Sequence, residues 1–171
     1  MKEEMVDIVD ERGKFLRKAT RKKAKENCLL HRAARVIVTD KKGKFFVHKR
    51  SLSKDLYKGY WDLGVAETLR SGDSYESAAV RGLAEEFGIK STDKELKHNF
   101  LFNLRNLLSK NNLIYKIYKY VYDGKIVFNP DEIQEVRLLT AAEVEKLMKE
   151  EDFTPTGQLS FRKFVEEVMQ K

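Results

Sequence analysis

The spacing of apolar and polar residues along this chain changes period several times, and each change marks an element. Met5, Val6 and Ile8 precede the turn cluster Asp10-Glu11-Arg12-Gly13, and Phe15 and Leu16 follow it, which predicts a hairpin. Residues 20–27 are highly charged and read as a connector or short helix. Val36, Ile37 and Val38 lie within a predicted strand at Ala33–Thr39. Asp40-Lys41-Lys42-Gly43 then turns the chain into a second strand at Lys44–Lys49, carrying Phe45, Phe46 and Val47. A loop rich in Ser, Lys and Tyr occupies 51–60, and Trp61–Val65 is short and apolar.

The period then becomes helical. Asp73-Ser74-Tyr75-Glu76 has the D-x-x-E form of a capping box, Ala78, Ala79, Leu83 and Phe87 lie on or near one stripe, and Gly88 supplies the stop. Strand-like runs follow at Phe100–Leu104, Leu113–Tyr122, Lys125–Phe128 and Val136–Leu139, with a turn at Asn129-Pro130. Thr140 is placed to cap a helix reaching about Lys149. Thr154-Pro155 starts another, with Phe161, Phe164, Val165 and Val168 on its apolar face. Strands first, a helix in the middle and helices last predict an α/β sandwich around a mixed sheet.

Composition narrows the class. With 171 residues, 42% of them apolar and 11% aromatic, the chain is long enough for one ordinary domain with its own core. A single cysteine, Cys28, excludes an internal disulfide framework and a cysteine-rich zinc site. No apolar run approaches the ~20 residues needed to cross a bilayer, and the first ten residues lack a signal-like apolar core. The expectation is a cytoplasmic protein with no membrane partner, and a homodimer is compatible with this size. The net charge of +7 invites an anionic partner. Most of the excess lies in residues 1–35, which hold eleven Lys or Arg against six Asp or Glu.

Candidate chemistry concentrates between Trp61 and Ile89. On a helix, Glu85 and Glu86 point about 100° apart, and position 82 lies one turn earlier, so the three form one patch. Adjacent carboxylates repel unless a cation sits between them, and oxygen ligands of this kind suit Mg²⁺ or Mn²⁺. Read alone, such a pair is more often a solvated turn of helix. His48, Lys49 and Arg50 end a strand, and Lys54 and Lys58 follow in the loop. Together they suggest a phosphate clamp with Arg50 as its best member, since a guanidinium binds bidentately. Trp61 reads as core, Cys28 as a bland free thiol. Tyr115, Tyr118, Tyr120 and Tyr122 read as one face of an amphipathic strand rather than a stacking surface for RNA.

The segment WDLGVAETLRSGDSYESAAVRGLAEEFGI resembles the Nudix box, G-x5-E-x7-R-E-U-x-E-E-x-G-U with U aliphatic, of the MutT-like superfamily. Arg81, Leu83, Glu85, Glu86, Gly88 and Ile89 satisfy it, and Asp73 is a conservative replacement. Two positions depart: Glu67 stands where glycine belongs, and Gly82 where glutamate belongs. His31 to Ser51, then Tyr60-Trp61-Asp62, and the hairpin Met5–Arg17 resemble the subgroup related to type I isopentenyl-diphosphate isomerase. The resemblance implies the Nudix fold, an α/β/α sandwich around a mixed β-sheet, over 29–171, with an N-terminal hairpin extension and connector over 1–28.

It also implies a metal-dependent hydrolase that cleaves the diphosphate linkage of a nucleoside diphosphate derivative. Glu85 and Glu86 would be metal ligands and catalytic, the cofactor Mg²⁺ or Mn²⁺. Arg81 would be catalytic in orienting the helix carboxylates, paired with Asp73 or Glu85. Arg50 and Lys58 would bind substrate, and Glu67, Glu132 or Glu135 could add an acidic ligand. Gly82 removes a carboxylate that the family uses, so weakened activity is expected, with Gly82→Glu a change that would restore it. The alternative is a non-catalytic Nudix-fold module binding a nucleotide or RNA, nucleic acid being the less favoured partner. Isomerase activity is disfavoured: that chemistry resembles one needing a cysteine before the box and a histidine after it, and Val65-Ala66-Glu67-Thr68 offers neither.

Overall fold

The computed structural model describes residues 3–106 and 111–170. Nine strands and five helices follow one another as β1 (Met5–Val9), β2 (Phe15–Thr20), α1 (Arg21–Glu26), β3 (His31–Thr39), β4 (Phe45–Arg50), β5 (Trp61–Leu63), β6 (Val65–Thr68), α2 (Tyr75–Phe87), α3 (Asp93–His98), β7 (Phe100–Asn106), β8 (Leu113–Val121), β9 (Ile133–Leu139), α4 (Ala141–Glu150) and α5 (Pro155–Phe164) among the described residues. A π-helical turn at Val165–Met169 continues α5.

β1 and β2 form the expected hairpin, its turn closed by Asp10, whose carboxylate accepts from the backbone N–H of Arg12 and Lys14. The other strands form a mixed sheet in which β3 pairs in parallel with β8, and β8 antiparallel with β7. Alternating side chains feed opposite faces. Ile37, Phe45, Val47, Leu63 and Ile117 pack with Val144, Phe161 and Phe164 of α4 and α5. Val36, Val38, Phe46, Val65 and Tyr118 pack with Ala79, Leu83 and Phe87 of α2 and Leu96 of α3. The result is the expected α/β/α sandwich.

β3 and β4 meet only at their turn end, where Thr39 pairs with Phe45. Beyond it they diverge, and one extended segment serves both: β5 pairs with β4, and β6 with β3. Gly64 makes the change of partner. Its φ is +60°, and a Cβ there would lie 1.9 Å from the carbonyl oxygen of Val36. The sequence reads this stretch as a single short run; the partner change divides it in two.

Other boundaries differ for identifiable reasons. Ser74, not Asp73, caps α2 by accepting from Ser77 N–H at 3.0 Å. Asp73 is drawn away: it closes the preceding turn by accepting from Arg70 N–H at 2.9 Å and also receives Arg81. Lys125–Phe128 is not a strand, although Ile126 and Phe128 pack against the α2-side core. α3 escapes the hydrophobic pattern because it is short and buries only Leu96, yet Thr92 and Glu95 form its capping box. The tyrosines of β8 and the residue after it do not share a face: Tyr118, Tyr120 and Tyr122 pack on the α2 side, while Tyr115 is buried on the other.

Gly64→Ala combines positive-φ strain, about 1–3 kcal/mol alone, with a backbone clash that neither strand can relieve. A urea-unfolding midpoint well below that of the natural chain is expected. Equal midpoints would mean the partner change tolerates a side chain.

Candidate active site

A cavity of about 700 Å³ opens where β3 and β4 diverge. Its walls come from α1, β3, the 53–57 loop, β6, β8 and the start of α5. The floor is a buried ion pair. Arg35 Nη1 donates to Asp62 Oδ1 at 2.6 Å and to the Leu63 carbonyl at 2.7 Å. Thr154 Oγ1 donates to the same Asp62 oxygen at 2.7 Å, tying the α5 N-cap into the pair. Burial by itself would raise the Asp62 pKa; Arg35, with help from His48 and Arg50, instead holds this carboxyl well below the usual range. Asp62 is therefore a fixed negative charge at neutral pH. Neither Arg35 nor this role of Asp62 stands out in the sequence, where the one looks like a strand residue and the other like part of a turn.

The expected basic clamp is redistributed. His48 is buried, edge-on to Phe87 at 5.7 Å, and burial lowers its pKa to about 4, so it is neutral and faces the core. Lys49 pairs with Glu151 at 3.3 Å, outside the cavity. Arg50 does line it, with Nη2 donating to the Leu56 carbonyl at 3.1 Å and Nη1 3.8 Å from Asp62. Lys58 is exposed and is not among the lining residues; Lys54 is the lysine of this loop that reaches the cavity, where it pairs with Glu132. Glu135 pairs instead with Arg137 on β9 and stays outside. Arg21, Lys22 and Lys25 of α1 add cations at the rim, placing the basic N-terminal segment against the cavity.

Of the helix carboxylates, neither Glu85 nor Glu86 is among the residues that line the cavity. Glu86 is 9% exposed and, among the described residues, has no hydrogen bond or ion pair. Burial pushes its pKa up to about 7. Lys54 opposes the rise, Glu67 and Asp62 add to it, and Arg50 opposes it; all four line the cavity. Glu85, one residue earlier, is exposed. Arg81 does not pair with Glu85. It donates to Asp73 Oδ2 at 2.8 Å, to Glu67 Oε1 at 3.2 and 3.3 Å, and to the Thr68 carbonyl at 3.1 Å. Arg81 thus fixes the start of α2 and the end of β6 together. Trp61 is fully buried, donating from Nε1 to Glu151 at 2.7 Å, and is core as expected; Cys28 is exposed.

No group of three or more His, Cys, Asp or Glu side chains among the described residues converges closely enough to form a metal cage. The donor chemistry nevertheless fits Mg²⁺ or Mn²⁺. Such ions are commonly held by one or two carboxylates, the other positions being filled by water and substrate phosphate. Burial and the neighbouring Glu67 and Asp62 charges disfavour the ionised form of Glu86, and a cation beside it would offset both.

The Glu86 carboxyl sets a pH dependence. Its pKa is raised above the ordinary 4.5, so between pH 4.5 and about 7 the folded state holds more protons than the unfolded chain. Its contribution to stability is full at low pH and falls as pH rises through that window. In metal-free buffer Glu86→Gln is expected to flatten this fall and raise Tm at pH 7.5. Parallel Tm-against-pH curves for the two proteins would show that Glu86 is not desolvated.

Comparison with known proteins places the chain in a family and supports its fold. The chain is 29% identical over 136 residues to an uncharacterized Nudix hydrolase of Pseudomonas aeruginosa, covering 80% of this chain and 78% of that one. It is 27% identical over 150 residues to isopentenyl-diphosphate delta-isomerase 2 of Photorhabdus laumondii, covering 85% and 82%. Among solved structures, a Deinococcus radiodurans protein superimposes with a TM-score of 0.78 at 20% identity, over 94% of this chain and 98% of that one. A Francisella tularensis bifunctional NMN adenylyltransferase/ADP ribose pyrophosphatase, complexed with AMP and a manganese ion, gives 0.63 at 16% identity, over 80% and 41%. The NUDIX domain family model matches residues 29–158, and the chain belongs to that family.

Proposed function

We propose that this Nudix pyrophosphohydrolase is metal-dependent and cleaves the diphosphate linkage of a nucleoside diphosphate derivative. The observation that carries the reading is Glu86: a residue only 9% exposed, with a pKa pushed up to about 7 and a charge coupled to the cations and acids that line the cavity. Burying such a group is unfavourable for folding, and strongly perturbed groups of this kind concentrate at functional sites.

The chain's own groups divide the work. Arg50 and Lys54 face the cavity as phosphate-holding cations, and the guanidinium can grip two oxygens at once. Glu85 and Glu86 present the anionic oxygens for the cation. Bound Mg²⁺ or Mn²⁺ supplies charge neutralisation at the phosphoryl oxygens and acidifies water. With the cation bound, the Glu86 carboxylate would be ionised at working pH, and it is the group of this chain assigned to accept the proton lost when water attacks phosphorus and the bond to the bridging oxygen breaks. Arg81 touches none of these atoms in the reading. It is a positioning residue, fixing β6 and the α2 start. The nucleotide character of the substrate is supported by the AMP bound in the Francisella structure.

A non-catalytic binding module is favoured by one observation, the absence of a ready-formed three-ligand cage among the described residues. The isomerase relative brings no comparable support. Glu67 and Thr68 occupy the stretch where that chemistry needs its cysteine and histidine, and the only cysteine, Cys28, is exposed in the segment before β3.

A panel of nucleoside diphosphate derivatives, ADP-ribose and dinucleoside polyphosphates included, assayed with Mg²⁺ and Mn²⁺ for nucleoside monophosphate release, tests the proposal. Turnover of at least one compound, abolished by chelation, is expected. Glu86→Gln should lower kcat/KM for that compound by about 10²-fold or more, the scale of a positioned acid or base. Tight binding of one compound without turnover of any would establish the binding module instead.

A further inference from the structure

The net positive charge of this chain belongs to one short stretch. Residues 12–25 hold eight of the 34 Lys and Arg and none of the 27 Asp and Glu, so the other residues carry 26 against 27 and are close to neutral. The stretch is the end of the hairpin turn, β2 and α1, and β2 runs straight into α1 at its cap, Thr20. Ala19 and Ala24 are buried with Val6 and Ile8 in a small core of their own. Arg12, Lys14, Arg17, Lys18, Lys22 and Lys23 are exposed, and Arg21 and Lys25 partly so.

The charges at the start of the chain are sorted. Four acids are committed to holding the hairpin and its turn in place. Glu4 accepts from Arg21 at 3.2 Å and lies 3.7 Å from Arg70. Asp7 accepts from Arg32 at 3.0 Å and from Ser71 Oγ at 2.7 Å. Asp10 closes the turn, and Glu11 pairs with Arg105 of β7. Lys18 stands directly opposite Asp7 in the hairpin register, yet Asp7 is turned to the domain. Of the eight cations, Arg21 pairs with Glu4, Lys22 with Glu26 and Lys25 with Asp55; the other five have no acid partner among the described residues. The acids of the hairpin thus face inward, and its cations are left to solvent.

Among the described residues β2 pairs with β1 alone, so its outer edge is open. Lysines on an open edge commonly keep other strands away. That purpose does not call for Phe15 and Leu16, which are 52% and 58% exposed beside the cations, since apolar side chains on an edge invite pairing. At its other end the basic track reaches the cavity: Arg21, Lys22 and Lys25 line it, as do Arg50 and Lys54.

We propose that β2 and α1 form a docking surface for single-stranded nucleic acid, its backbone following the cations from the hairpin toward the cavity mouth and a base stacking on Phe15. A row of unpaired cations with an exposed ring among them is how proteins hold single strands without reading sequence: phosphates meet the charges and a base face meets the ring. A small anion engages two or three such groups; eight strung along a strand and a helix fit a polymer of phosphates. A bilayer is a poorer match, because binding there scales with the apolar area inserted, and the large exposed apolar side chains of this stretch are Phe15 and Leu16. Tyr115 and Tyr118, interleaved with lysines on β8, are buried and closed to this role. The surface goes beyond the hydrolytic reading and does not depend on it.

The test is fluorescence anisotropy of a short fluorescein-labelled RNA of mixed sequence, titrated with the full chain at several salt concentrations, with thermal unfolding as the control for folding. The natural chain is expected to bind with an affinity that falls steeply as salt rises. Removing three exposed, unpaired cations together, Arg17→Gln, Lys18→Gln and Lys23→Gln, should weaken binding by about 10-fold or more at low salt and flatten the slope of log affinity against log salt by about 2. Phe15→Ala should weaken it by about 10-fold, the scale of one lost base stack. Both variants should keep a Tm close to that of the natural chain. A natural chain that does not bind the RNA, or a triple variant that binds it as well, overturns the proposal. Undiminished binding in Phe15→Ala, with inorganic polyphosphate competing as well as unlabelled RNA, would make this a general polyanion surface and overturn the assignment to nucleic acid. Binding to vesicles of phosphatidylcholine and phosphatidylserine without binding to RNA would make it a membrane surface, with the same consequence. The nucleotide panel reads hydrolysis independently of this surface, so either proposal can fail without the other.

Discussion

β3 and β4 part after a single residue pair, and one extended segment has to satisfy both edges. That division of one strand between two partners is the constraint on which the site depends. It requires a residue at Gly64 that accepts positive φ and lets Val36 O approach to a distance no Cβ would permit. It also leaves β6 covered by β3 on one edge while the cavity reaches its side chains on both faces: Ala66 and Thr68 on one, Glu67 on the other. Asp62 on β5 and Glu67 on β6 end up on either side of the partner change. One is locked into the core by Arg35 and Thr154; the other is turned toward α2 and held by Arg81.

Arg81 converts this topology into a defined distance between strand and helix. It reaches Asp73 before α2, Glu67 in β6 and the Thr68 carbonyl from one guanidinium, a task for which its planar fork of donors is suited and a lysine is not. Side-chain exposures of 15% for both Arg81 and Glu67 keep this contact from being a screened surface pair. With α2 held so close, a Cβ at 82 would lie 3.1 Å from Glu67 Cβ, so a side chain there requires Glu67 to give way. The cap follows from the same contact. Because Asp73 is committed to Arg81 and to the Arg70 turn, Ser74 takes over the N-terminus of the helix.

Where one element carries its own signal, the sequence was a good guide. The α2 stripe, the Gly88 stop, the Asp10 turn and the Thr140 and Thr154 caps are all local, and all appear as expected. So was the adjacency of Glu85 and Glu86, which is a property of any helix. The site's other half depends on contacts between segments far apart in the chain, and no local pattern encodes these. Arg35 reads as an interruption in an apolar strand until Asp62 is seen opposite it. Lys54 and Lys58 are equivalent in a loop of unknown path; only the path decides that Lys54 faces the cavity. Glu67 and Gly82 are the sharpest case. Each alone reads as a loss, and only their contact shows them to be a pair.

The charges around the cavity are drawn from segments that have nothing in common locally. Arg21, Lys22 and Lys25 come from α1, Arg50 and Lys54 from β4 and its loop, and Arg35 from β3; Asp62, Glu67 and Glu132 face them, with Glu86 behind. A site for a bare anion would not retain this many carboxylates at its wall, since each would repel the ligand. A site for a bare cation would not be rimmed by so many lysines and arginines, for the same reason. The cations have partial internal answers: Lys54 meets Glu132, Arg50 lies near Asp62, and Lys25 lies 3.6 Å from Asp55. Glu86 has none among the described residues. A ligand that is anionic toward the α1 and loop side and carries a divalent cation toward α2 satisfies both sets of charges at once. A diphosphate bound together with its metal has that polarity, which is why the reading rests on the two charge sets jointly and not on the acidic residues alone.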